Sequence, residues 1–72
     1  MKYYDVSICI RLAGGLQRLQ VLRLIVEAPN RIDAITEAIH TYRLSVPEKI
    51  KALDLEIGEV CDVTEAMEDI ML

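Results

Sequence analysis

The sequence predicts an α+β domain: a three-stranded antiparallel sheet in the order 2-1-3, with one main helix on one face and a short C-terminal helix. Three observations carry this. An N-terminal stretch alternates strictly between apolar and other residues, a Gly14-Gly15 pair separates it from a second β-rich run, and an apolar repeat at helical spacing divides that run from a third alternating stretch. The order of elements is strand, strand, helix, strand, helix.

The first strand spans 3–12, with Tyr4, Val6, Ile8, Ile10 and Leu12 on one parity and Asp5, Ser7 and Arg11 on the other. That is the pattern of a half-buried strand. Gly14-Gly15 supplies the positive φ angles a tight turn needs, so 19–28 returns as the second strand of a hairpin and Pro29 ends it. Asn30 is a good N-cap, Asp33 stands in a capping-box-like position, and Ile32, Ile35, Ala38, Ile39 and Tyr42 recur at helical spacing. The main helix is expected over 31–44. Ser45, Val46, Pro47 and Glu48 read as a second cap opening one helical turn through Ile50. Leu53, Leu55 and Ile57 then alternate with Asp54, Glu56 and Gly58, a third strand of about 52–60. Asp62 and Glu65 cap a short last helix with Val63, Met67, Ile70 and Met71 along one side.

A right-handed crossover through the main helix makes strand three parallel to strand two. Strand one has the cleanest alternation and no proline, so it takes the centre, and the main helix covers one face.

Composition bounds the class. In 72 residues there are six Ala, six Val, nine Ile and nine Leu, far too much aliphatic surface for a disordered chain, and 72 residues make one domain. No apolar run approaches the roughly 18 to 20 residues needed to cross a bilayer, and the N-terminus lacks the pattern of a signal peptide. Cys9 and Cys61 match neither a disulfide framework nor a C-x-x-C motif, and read as reduced thiols of a cytoplasmic protein. Residues 1–43 carry a net charge of +2 and residues 44–72 carry −6, giving −4 in all. A solvated surface explains that split, and it can also orient a partner or a second copy.

The second strand breaks the pattern because it is apolar on both parities. Leu22, Leu24, Val26 and Ala28 point one way, while Leu19, Val21 and Ile25 point the other beside Arg23 and Glu27. A two-residue turn sets Val21 opposite Ile8, and a three-residue loop from Gly14 to Leu16 sets Leu22 there. Either register is expected to leave a second apolar patch on the far face. The C-terminal helix is one candidate cover, but at roughly 15 Å it shields only part of such a sheet. A chain this small also buries only about 60% of its unfolded surface, so a second copy or another protein is the favoured cover. The partner-binding residues expected on these grounds are Leu19, Val21, Arg23, Ile25, Met67, Ile70 and Met71.

The chemistry-bearing residues form no catalytic set. His40 is the only histidine, on the polar side of the main helix with Thr36 and Arg43, and no local spacing brings it partners. Ser7, Ser45 and the threonines belong to no nucleophile motif, and Cys9 and Cys61 read as inert thiols. Asp54, Glu56, Gly58, Asp62 and Glu65 imitate a calcium loop, but the glycine is one place early and Leu55 and Ile57 alternate as a strand. Neither metal nor cofactor is expected. Arg11, Arg18 and Arg23 raise nucleic-acid binding, against which stand the acidic total and the lack of interleaved aromatic residues. An acidic C-terminal half that occupies a basic groove on another enzyme is a further possibility on charge alone.

The function expected is non-enzymatic: a homodimeric cytoplasmic protein-binding module, an inhibitor, adaptor or regulatory protein of the accessory kind carried by phages and mobile elements, working through an apolar sheet face and its C-terminal helix. The alternative is a small oligomeric metabolic or ligand-binding protein whose site forms at a subunit interface from Arg23, Tyr3 or His40. Nucleic-acid binding through the hairpin arginines is the weaker third reading.

Overall fold

The computed structural model describes residues 1–11, 17–45 and 55–71. They form β1 (Lys2–Arg11), β2 (Arg18–Ala28), α1 (Arg31–Ser45), β3 (Leu55–Asp62) and α2 (Thr64–Met71). The sheet runs β2-β1-β3 with both pairings antiparallel, which makes this the α+β architecture that the alternation and helical spacing predict. The Gly14-Gly15 turn, Leu12, the Pro47 turn and the expected start of strand three lie outside the described residues.

Apolar even positions of β1 build the centre. Val6 and Ile8 are fully buried, with Tyr4, Val26 and Ala28 beside them, and each buried Val or Ile contributes about 2 kcal/mol. α1 closes this face with a narrower stripe than the isoleucine repeat suggests. Ala34 and Ala38 are 0% exposed and Tyr42 lies below them, whereas Ile35 and Ile39 are half-buried and Ile32 is 74% exposed. Alanines at i and i+4 let the helix backbone sit close on the sheet, which pushes the larger isoleucines to the flank. The start of α1 is fixed as its sequence implies. The Asn30 side-chain carbonyl accepts from Asp33 N–H at 2.9 Å, and its amide donates to the Asp33 carboxylate at 3.2 Å. At the other end the helix runs through Ser45, and the turn expected after it lies outside the described residues.

Two β-bulges shape the sheet. In β2 the register shifts between Ile8, opposite Leu22, and Cys9, opposite Gln20, so Val21 is an extra residue. In β3 it shifts between Val6, opposite Val60, and Ile8, opposite Ile57, so Gly58 and Glu59 together face Ser7. The molecule measures 44 × 23 × 19 Å.

Candidate interaction surface

The sheet face turned away from α1 is built from the odd positions of β1, which are Tyr3, Asp5, Ser7, Cys9 and Arg11, together with the residues paired to them. It is charged and hydrogen-bonded. Arg11 and Arg18 stand directly opposite one another on β1 and β2, an unfavourable like-charge pair by itself. Glu56, on the other side of β1, offsets it with one oxygen 2.6 Å from Arg11 Nε and the other 3.1 Å from Arg18 Nε. Arg18 Nη2 lies 3.9 Å from the Cys9 thiol beneath. Nearer the other end, Arg23 grips Asp5 through Nε and Nη2. That hydrogen-bonded guanidinium holds the Asp5 carboxyl below its ordinary 3.8. The three hairpin arginines thus each sit on a carboxylate, which weakens the field they would offer a phosphate backbone.

Between these two ion-pair groups lies the β3 bulge. Ser7 is buried, and its hydroxyl accepts a 2.8 Å hydrogen bond from Glu59 N–H. A Cβ on Gly58 would stand 2.6 Å from Ser7 Oγ and 2.9 Å from Cys9 Sγ, so the close approach requires glycine. An isolated glycine inside an alternating run is the signal for such a bulge.

The β2 bulge redistributes the residues expected to share an apolar patch on this face. Leu19 is paired with Ile10 and so lies on the α1 side, and Val21 packs against the main core. Of the odd-parity aliphatic residues, Ile25 alone remains outward, opposite Asp5 and 51% exposed. The continuous second patch is therefore replaced by a charged face. The extra residue lets one strand be apolar on both parities while turning Leu19 and Val21 of the odd set to the α1 side.

α2 hangs from the start of β1. Val63 N–H donates to Tyr3 carbonyl at 2.9 Å, and the Thr64 hydroxyl accepts from Tyr3 N–H at 3.0 Å while donating to Asp62 Oδ1. Asp62 also accepts from Thr64 N–H, so it caps α2 directly, and those bonds from Thr64 lower its pKa. Met67 is half-buried, Ile70 is 78% exposed, and Met71 is the last residue of the helix.

The remaining candidates do not converge. His40 is exposed on α1, across the sheet from Arg23, and Tyr3 belongs to the strand end that holds α2. Cys9 and Cys61 are free and pair across the sheet with Glu56 and Asp5, four residues apart along β1 or roughly 13 Å. Among the described residues no three His, Cys, Asp or Glu side chains group as metal ligands, and no helix is long and apolar enough to cross a membrane. An open cleft of about 340 Å³ at the junction of β2 and α1 is lined by Glu27, Asp33 and Glu37 with Ala28, Pro29 and Thr36.

Fold and surface define the class, a small α+β domain with an open-edged three-stranded sheet and an appended helix. The chain matches no known protein family, no curated protein and no solved structure.

Proposed function

We propose that this chain is a non-enzymatic protein-binding module: a homodimeric cytoplasmic inhibitor, adaptor or regulatory protein of the accessory kind found in phages and mobile elements. The observation that carries the reading is the placement of aliphatic side chains outside the core. Leu19 and Ile25 are each 51% exposed on the edge strand β2, and Ile70 is 78% exposed on α2. A domain this small gains stability by burying such residues, so leaving them out is costly unless another surface covers them. α2 adds to this. Two helical turns do not hold together in water on their own, and among the described residues the hydrogen bonds that tie this helix to β1 are at Val63 and Thr64.

In-cell crosslinking followed by mass spectrometry tests the reading. The expected result is a protein partner crosslinked through α2 and lost with Ile70→Asp, while the unfolding midpoint of the purified chain stays within about 0.5 kcal/mol of wild type, since Ile70 is on the surface. Capture indifferent to Ile70→Asp, with a monomeric mass by light scattering, would overturn it.

A further inference from the structure

We propose that the open edge of β2 is a homodimer seam, with β2 of one copy pairing antiparallel to β2 of a second about a two-fold axis through Ile25. The result is one continuous six-stranded sheet. This rests on the homodimeric reading above and specifies its interface.

Among the described residues β2 has a neighbour on one side only. It is eleven residues long, has no proline, and carries only Arg18, Arg23 and Glu27 as charges. Unprotected edges of this kind are templates for pairing with another strand, through their row of unused N–H and C=O groups. The bulge at Val21 spoils regular pairing in the first part of the strand and leaves 22–28 as the straight portion. The middle residue of that portion is Ile25.

The charge pattern selects the same centre independently. In an antiparallel pair related by a two-fold axis normal to the sheet, opposed residues lie on the same face, so the axis passes through a residue and not between two. Centring on Arg23 sets that arginine against itself. Centring on Leu24 sets Arg23 against Ile25 and Glu27 against the bulged Val21, and centring on Val26 sets Ile25 against Glu27. Only centring on Ile25 sets Arg23 of each copy opposite Glu27 of the other. The same register places Leu22 opposite Ala28 and Leu24 opposite Val26, apolar with apolar, and brings the two exposed Ile25 side chains together between symmetric ion pairs.

Both charges are available for this. Glu27 has no ion-pair partner among the described residues. Arg23 holds Asp5 through Nε and Nη2, leaving Nη1 for a second carboxylate.

The test uses the full chain with the exposed Cys61 changed to Ser. Opposed Cα atoms in an antiparallel pair are about 4.5 to 5.5 Å apart, within disulfide reach, so Ile25→Cys is expected to form a disulfide-linked dimer on mild oxidation and Ile70→Cys is not. Glu27→Arg sets like charges opposite one another twice and is expected to weaken the dimer, measured by sedimentation equilibrium, roughly tenfold or more with an unchanged circular dichroism spectrum. A dimer that fails to crosslink through residue 25, or that is indifferent to Glu27→Arg, overturns the β2 seam and leaves the homodimeric reading standing. A wild-type chain that stays monomeric at millimolar concentration overturns both.

Discussion

At the scale of single residues, the sheet depends on a few contacts without slack. Gly58 is the sharpest. A methyl group there meets Ser7 Oγ at 2.6 Å, and Ser7 cannot turn away without giving up Glu59 N–H. Gly58→Ala is therefore expected to cost about 1 to 3 kcal/mol, read as a lowered urea midpoint with an unchanged slope. A midpoint equal to wild type would show that the bulge relaxes freely. Asp5 gives a pH test. Its folded pKa lies below the ordinary value of 3.8, so the unfolded chain takes up the proton first as pH falls. Its stabilisation is complete above 3.8 and disappears as pH drops through the folded value. Asp5→Asn is expected to lower stability at neutral pH and to flatten the decline below 3.8, measured as denaturant midpoints across an acid series. Identical acid slopes in the two proteins would remove Asp5 from the account.

At the scale of elements, the attachment of α2 is the vulnerable joint. The Thr64 hydroxyl is at once the acceptor for Tyr3 N–H and a donor to Asp62, so Thr64→Val removes two bonds while keeping shape. The expected loss is about 1 to 2 kcal/mol, with faster hydrogen exchange at the Tyr3 amide and protease cleavage within α2 before the sheet. Unchanged exchange at Tyr3 would mean that α2 is held elsewhere. The strands and helices themselves are legible in the sequence because each rests on local periodicity or a local cap. Val6 and Ile8 against Asp5 and Ser7, or Asn30 with Asp33, need no knowledge of distant residues. The surface is less legible. Leu19, Val21 and Ile25 share a parity in the sequence but not a face in the sheet, because one extra residue in β2 resets the alternation, and bulges are fixed by pairing between strands. The isoleucines of α1 mislead for a related reason. Spacing identifies a helical stripe, but the distance between helix and sheet decides whether alanine or isoleucine fills it, and here Ala34 and Ala38 lie innermost.

At the scale of the whole molecule, charge, shape and topology fit together. Arg11, Arg18 and Arg23 of the first half are spent on carboxylates of both halves, Asp5 for Arg23 and Glu56 for Arg11 and Arg18, so the +2 and −6 segments partly neutralise each other within one sheet. These pairs are exposed enough that salt weakens them, and they set register more than they add stability. The strand order has a further consequence for how the protein is made. β1 is the central strand and leaves the ribosome before β2 and β3, yet one of its partners, β3, is synthesised last of the three, and Tyr4 waits for Asp62. During that interval the β1–β2 hairpin has one edge of its central strand bare, the edge that β3 later occupies. The nascent chain therefore passes through a stage with two open strand edges, and prompt arrival of β3 limits mispairing between neighbouring chains on one messenger.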